Sequence, residues 1–309
     1  MEKTASAFEE DVLKGLKKNE KSLPSKYFYD ERGSELFEKI SNLDEYYLTD
    51  AELEILQHHS EEISKVIGPK SLIIEFGSGS SKKTRLLLEE LKDLAGYVPV
   101  DISREFLFEE AEKLQEEFPE LDITPIAADY TTSFELNVNG HADRRVIFFP
   151  GSTIGNFTPD RARDFLFQSA DLLKNNGGLL IGVDLKKAPE VLNKAYNDRE
   201  GVTAEFNKNL LKRINRELDA DFIIEQFRHR AFYNEEEGRV EMYLVSLENQ
   251  SVSIAGEKID FKKGEMIHTE NSYKYTVEEF EELISERYLL KKTWFDSDEL
   301  FSLHYFEKR

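Results

Sequence analysis

Apolar Phe8, Val12, Leu13 and Leu16 recur near a 3.6-residue spacing in an otherwise charged stretch, which predicts an opening helix. A polar break at 22–26 leads into the aromatic cluster Tyr27-Phe28-Tyr29, and further helices are expected over 34–40 and 50–66. From Ser71 the texture changes. Short apolar runs at 72–76, 96–100, 123–126, 146–149 and 179–183 alternate with amphipathic stretches at 82–94, 104–117 and 159–173. Thr158 followed by Pro159 is a helix-start signal, an N-cap threonine with proline at the first helical position. Strands alternating with helices predict an α/β fold built on a doubly wound, mostly parallel sheet.

After Asp184 the alternation stops. Residues 189–196 and 202–218 read as helices, and 222–274 as several antiparallel strands with a turn near 234–238. A helix at 277–286 and strand-like runs at 289–295 and 300–306 close the chain, the last two predicting an antiparallel end to the sheet. With no linker of low complexity, two domains are expected to interleave. One comprises 51–186 and 277–309; the other, an α+β domain, comprises 1–50 and 187–276.

The charge balance narrows the partners. The 41 basic and 62 acidic side chains leave a net charge of −21, which repels phosphate backbones and anionic lipid and argues against nucleic-acid and membrane partners. The absence of cysteine removes disulfides, thiolate metal sites and a cysteine nucleophile. No apolar run approaches the roughly 20 residues that span a bilayer, and the opening residues lack a signal-peptide profile. A cytoplasmic protein is expected.

Candidate chemistry gathers where strands give way to helices. Glu75-Phe76-Gly77-Ser78-Gly79 follows the first strand run, where glycines let the backbone approach a ligand at the carboxyl edge of a parallel sheet. A third glycine of a dinucleotide fingerprint would fall at Lys82, so a nicotinamide or flavin site is disfavoured. Lys82 and Lys83 sit in the first helical turn, where the helix dipole already favours negative charge; a bound carboxylate would explain a cation there. Lys82 reads as solvated, Lys83 as the better candidate. Asp101 ends the second strand run, 101 − 77 = 24 positions after Gly77, close to the offset of about 20 at which an acid accepts from ribose hydroxyls. Asp129-Tyr130 follows the third run, where a carboxylate can accept from an adenine amino group. Loop, ribose acid and adenine acid in that order, with Glu75 two before the first glycine, match S-adenosylmethionine-dependent methyltransferases.

The fourth run leads into Gly151-Ser152-Thr153-Ile154-Gly155-Asn156, and here the chain resembles the histidine Nα-methyltransferases of ergothioneine biosynthesis. The resemblance extends over nearly the whole chain, through 23–30, 33–37, 45–47, 75–84, 151–156, 201–207, 239–242 and 269–272. It implies a class I, Rossmann-like methyltransferase domain with a substrate-binding domain, and trimethylation of the histidine α-amino group to hercynine. It implies that Glu75, Gly77, Gly79, Lys83, Asp101, Asp129 and Tyr130 serve the cofactor. Tyr46, Gly151, Asn156, Tyr196, Met242, Glu270 and Ser272 would line the histidine site, with Tyr29 and Asn156 at the amine. No metal is implied, and a monomer acting on a free amino acid is expected.

The chemistry is consistent with those roles. Methyl transfer from a sulfonium is an in-line displacement that needs alignment above all. Asn156 and tyrosine hydroxyls are uncharged donors, and Glu270 and Ser272, two apart on a strand-like run, share a face. Thr158 reads as the cap of the following helix, leaving Asn156 free. Tyr47 reads as a packing aromatic, and His229 and His268 as non-ligands. An N-methyltransferase for another aromatic amino acid, such as tryptophan, is the competing enzyme; Glu270 favours the two-nitrogen imidazole over an indole. A non-catalytic relative that binds cofactor or amino acid is the alternative from another class.

Overall fold

Ser6 caps the first helix, α1 (Ala7–Leu16), by accepting from the Glu9 amide, and Phe8, Val12 and Leu16 bury one face of it. In the computed structural model, which describes residues 6–79, 81–132, 134, 136, 142–173 and 176–309, a short strand β1 (Lys21–Ser22) follows. The aromatic cluster lies on a single 3₁₀ turn, Ser25–Phe28. Helix α2 (Glu31–Ile40) starts three residues before the expected position, because Asp30 accepts from the Gly33 amide and is the true cap. Helix α3 (Tyr47–Ile67) likewise begins earlier than the apolar spacing indicated.

The alternating region then supplies β2 (Ser71–Phe76), α4 (Lys82–Glu90), β3 (Gly96–Asp101), α5 (Arg104–Glu117), β4 (Ile126–Ala127), β5 (Arg144–Phe149), α6 (Pro159–Leu172) and β6 (Gly178–Asp184). Helix α4 stops at Glu90, short of the expected 94, and Asp93 takes a left-handed conformation as the chain turns toward β3. The strand expected at 123–126 is reduced to an isolated bridge from Ile123 to Tyr97 and the two residues of β4. Pro125 between them has no N–H to give a ladder.

Next come α7 (Pro189–Ala195), α8 (Val202–Leu218), β7 (Phe227–Asn234), β8 (Arg239–Ser246), β9 (Gln250–Ile254), β10 (Glu257–Phe261) and β11 (Met266–Tyr273). The chain ends with α9 (Val277–Ile284), opened by a Thr276–Glu279 capping box, and with β12 (Tyr288–Phe295) and β13 (Phe301–Lys308).

Two units result. One comprises Met1–Tyr46 and Ala188–Ser272, the other Tyr47–Lys187 and Tyr273–Arg309. The divisions at 46/47, 187/188 and 272/273 compare with the expected 50/51, 186/187 and 276/277; residues 47–50 are the first turn of α3. The first unit carries a sheet in the order β1-β11-β8-β7 and a separate β9–β10 hairpin. Within 222–274, β7 pairs with β8 and β9 with β10 in antiparallel fashion, as expected; β1, outside that stretch, runs parallel to β11. The second carries seven strands in the order β12-β13-β6-β5-β2-β3-β4. Strands β2 to β6 pair in parallel, while β13 is antiparallel to both β6 and β12. Ile73, Ile74, Val98, Ile147, Phe148, Leu180 and Ile181 are wholly buried, the continuous apolar strand expected when helices cover both faces.

Candidate active site

In the second unit the glycine loop leaves β2 with Gly77 at φ 71° and Gly79 at φ 49°, followed by Ser81 at φ 57°. This left-handed backbone favours glycine; Ser80, within the same loop, lies outside the described residues. A Cβ on Gly77 would stand 3.7 Å from the Tyr130 hydroxyl. Tyr130 stacks on Phe76, at 5.4 Å between ring centres and 14° between planes. Glu75 lies beneath the loop. Its Oε2 accepts from Thr84 at 2.6 Å and from Tyr97 at 2.5 Å, tying β2 to α4 and β3. Burial pushes the Glu75 carboxyl up to about 7, against the opposing pull of those two hydrogen bonds and of the Lys83 charge.

Asp101 ends β3. Its Oδ1 accepts from the Ser103 amide at 2.8 Å, so part of the carboxylate does cap the entry to α5. The Gly79 amide also bonds to it, which links the acid to the glycine loop; burial nevertheless raises its pKa. Asp129 Oδ1 accepts from the amide and hydroxyl of Thr131.

Lys83 is not aimed at solvent. Its Nζ meets Glu52 Oε2 at 2.5 Å, and the same oxygen accepts from the Gly151 amide at 2.8 Å. Glu52 is fully buried, and its Oε1 has no hydrogen-bond partner among the described residues. That oxygen lies against β6, where a Cβ on Gly182 would come within 2.2 Å of it. Sequence reasoning missed Glu52, although a signal existed: it shares a helix face with Leu48, Ile55 and Leu56, all buried. A carboxylate on an apolar stripe needs a partner.

A second buried cluster surrounds Asp184 at the end of β6. Tyr47 donates to both carboxylate oxygens, at 2.7 and 2.9 Å, and Lys187 and Lys274 each pair with one at 2.6 Å. The Asp184 amide donates to Ser152 Oγ. Burial alone would raise the Asp184 pKa, but the two ammonium groups hold it below the ordinary value. Burial draws Lys187 down to about 8 against the pull of Asp184. The expectation that Tyr47 only packs is therefore corrected. Its hydroxyl is needed because a buried carboxylate is costly unless hydrogen-bonded. Thr158 occupies the N-cap position of α6 but makes no side-chain capping bond; Pro159, with φ preset and no N–H to satisfy, starts the helix instead. Asn156 ends the 3₁₀ turn Thr153–Asn156.

In the first unit a line of rings connects the predicted tyrosines. Tyr29 meets Phe37 edge-on at 5.7 Å, Phe37 meets Tyr46 at 6.2 Å, and Tyr46 meets Tyr196 at 6.2 Å. The Tyr196 hydroxyl donates to Ser272 Oγ at 2.8 Å. Glu270, half-buried, lies two positions before Ser272 on β11, and buried Met242 lies on the neighbouring β8, its carbonyl accepting from Thr269. Asp30, beside Tyr29, accepts from Asn209 and pairs with Arg216. Thus Tyr29, Tyr46, Tyr196, Met242, Glu270 and Ser272 belong to the first unit. Glu75, Gly77, Gly79, Lys83, Asp101, Asp129, Tyr130, Gly151 and Asn156 belong to the second.

A seven-stranded sheet with five parallel strands, the antiparallel β13 inserted between β12 and β6, and a glycine loop after β2, the middle one of the five parallel strands, define a class I methyltransferase. The model of the histidine-specific, S-adenosylmethionine-dependent methyltransferase family matches residues 8–308, and the chain belongs to that family. It is 40% identical over 295 residues to the histidine N-alpha-methyltransferase of Mycolicibacterium smegmatis, covering 94% of this chain and 91% of that protein. With the histidine N-alpha-methyltransferase of Mycobacterium tuberculosis the identity is 42% over 274 residues, covering 87% and 84%. The ergothioneine biosynthesis protein 1 of Neurospora crassa is 36% identical over 281 residues, which are 86% of this chain and 31% of that longer protein. The chain is an S-adenosylmethionine-dependent N-methyltransferase. No helix among the described residues is long and apolar enough to cross a membrane.

Proposed function

We propose that the chain transfers methyl groups to the α-amino nitrogen of L-histidine three times in succession, giving hercynine. The observation that carries this reading is the Tyr196–Ser272 hydrogen bond of 2.8 Å, with Glu270 two positions along the same strand. A hydroxyl pair and a carboxylate are what an imidazole with one donor and one acceptor nitrogen requires. Family membership supports the same substrate.

S-adenosylmethionine supplies an electrophilic methyl group on its sulfonium. Gly77, Gly79, Lys83, Asp101, Asp129 and Tyr130 would hold it. The left-handed glycine backbone leaves room for a ligand, and the lysine and the two acids present one cation and two acceptors suited to a carboxylate, a ribose and an amino group. Glu75 serves the cofactor through the loop, which it pins to α4 and β3. No metal enters this reading.

The attacking nitrogen must be neutral, and a free amino group is mostly protonated at pH 7, since even peptide α-amino groups have pKa values near 8. Asn156 and Tyr29 would hold the amine by uncharged groups, which tolerate loss of its proton where a carboxylate would resist it. Tyr46, Tyr196, Met242, Glu270, Ser272 and Gly151 would keep the remainder of the amino acid fixed while the amine turns between transfers. The working enzyme in this reading is a cytoplasmic monomer that binds small molecules alone; the net charge of −21 supports the absence of nucleic-acid and anionic-membrane partners.

Mass spectrometry of histidine incubated with the enzyme and S-adenosylmethionine tests the reading. Mono-, di- and trimethylated histidine should appear in turn, with the trimethylated form accumulating. Ring methylation, arrest after one methyl, or turnover of tryptophan with none of histidine would overturn it.

A further inference from the structure

Asn207 is wholly buried on α8 and donates through Nδ2 to two acceptors, the Tyr243 carbonyl at 3.1 Å and His229 Nδ1 at 2.9 Å. The backbone carbonyl fixes which end of the amide is nitrogen, because a carbonyl can only accept. His229 Nδ1 is therefore an acceptor, and the ring proton sits on Nε2. That N–H donates to the Tyr196 carbonyl at 3.0 Å. An imidazolium would set a second N–H against the Asn207 amide hydrogens, so the neutral ring is the form that fits, and burial favours it further.

Tyr196 stands at the C-terminal end of α7. Two asparagines tie that helix end to β7 on either side of it: Asn193 accepts from the Tyr233 amide and Asn197 donates to the Ala231 carbonyl. His229 holds Tyr196 itself. Its bond fixes the backbone from which the Tyr196 hydroxyl reaches Ser272 and its ring reaches Tyr46.

We infer that His229, locked as its Nε2–H tautomer by Asn207, is a positioning residue for histidine recognition, acting through the backbone of Tyr196 and touching no reacting group. The inference rests on the reading that Tyr196 and Ser272 hold the substrate. It also gives the string Gly201–Asn207 a purpose: the helix it opens delivers the amide that selects the tautomer.

Steady-state kinetics with separate histidine and cofactor titrations test this in His229→Leu, His229→Gln, Asn207→Ala, Tyr196→Phe and the double variant His229→Leu/Tyr196→Phe. His229→Leu should raise the KM for histidine by about tenfold, the loss of one well-placed hydrogen bond. Affinity for S-adenosylhomocysteine should stay within about twofold of the parent. Glutamine carries an N–H in roughly the place of Nε2, so His229→Gln should recover most of the loss. Asn207→Ala keeps the ring but frees its tautomer and should shift the same KM in the same direction; it decides the matter if His229→Leu does not fold. In the Tyr196→Phe background His229→Leu should add little, the non-additivity of residues acting through one another. If Tyr196→Phe itself leaves the histidine KM unchanged, the substrate reading fails and the inference goes with it. If Tyr196→Phe raises that KM while the His229 and Asn207 variants leave it alone, or while the two effects simply add, the substrate reading stands and His229 is only a core residue.

Discussion

Glu52 Oε2 lies 2.5 Å from Lys83 Nζ and accepts the Gly151 amide as well, so one carboxylate from α3 links the first turn of α4 to the loop after β5. Lys83 is proposed to meet the cofactor carboxylate and already has a partner inside the protein, which must share it. The two demands can be separated. Lys83→Met should destabilise the fold by about 3 kcal/mol, because it leaves Glu52 buried without a counter-charge. Adding Glu52→Gln should restore most of that stability by removing the stranded charge, yet leave affinity for S-adenosylhomocysteine low. Chemical denaturation and calorimetry on the two variants read these separately. Recovery of cofactor affinity in the double variant would show that Lys83 serves the fold alone.

The Glu75 carboxyl gives a pH signature. Burial raises its pKa from 4.5 to about 7, so between those values the folded chain keeps a proton that the unfolded chain has released. Its stabilising share is complete below about 4.5 and is lost as pH rises to about 7. Glu75→Gln cannot ionise and retains an oxygen to accept from Thr84 and Tyr97. Its stability relative to the parent should therefore rise between pH 5 and pH 8 by on the order of 1–3 kcal/mol. Urea unfolding at the two pH values measures this; a difference that stays flat would place the Glu75 titration outside the window.

Specificity should respond to Glu270. Glu270→Ala removes a charge-assisted acceptor proposed to meet one imidazole nitrogen, and kcat/KM for histidine should fall by roughly ten- to a hundredfold. Affinity for S-adenosylhomocysteine should hardly change, and activity toward tryptophan relative to histidine should rise. Near-normal histidine kinetics would withdraw Glu270 from the substrate site.

Asp184 provides a test of structure alone. Asp184→Asn would leave Lys187 and Lys274 crowded without their shared carboxylate, and a loss of about 3–5 kcal/mol is expected from breaking a buried pair. Thermal unfolding checks it. A variant as stable as the parent would show that the two lysines find water or other partners.

What could be read along the chain followed from periodicity and from local steric rules. The strands of the second unit announced themselves because burial on both faces requires apolar runs such as Val146–Phe149, and helix α8 was legible to its ends. The glycines at 77 and 79 were informative because few other residues tolerate their backbone. Tyr47 was read as a packing aromatic, and Glu52 and Lys274 drew no reading, since their partners lie far away along the chain: Tyr47 and Asp184 are 137 positions apart. The reading of His229 as a non-ligand stands, but its two partners, on α8 and at the end of α7, could not be read from its own neighbourhood in the chain. Ladder order was legible only in part. The parallel pairing of β1 with β11 joins Lys21 to Ile267, a closure that a two-residue strand cannot signal by its own pattern.

The position of β13 also governs how the protein can come into being. Residues 301–308 lie inside the second unit's sheet, between β12 and β6, so that sheet remains open along β6 until they have been synthesised. All of 188–272, the larger part of the first unit, leaves the ribosome earlier. During translation β6 thus keeps an unpaired hydrophobic edge until residues 301–308 emerge to cover it.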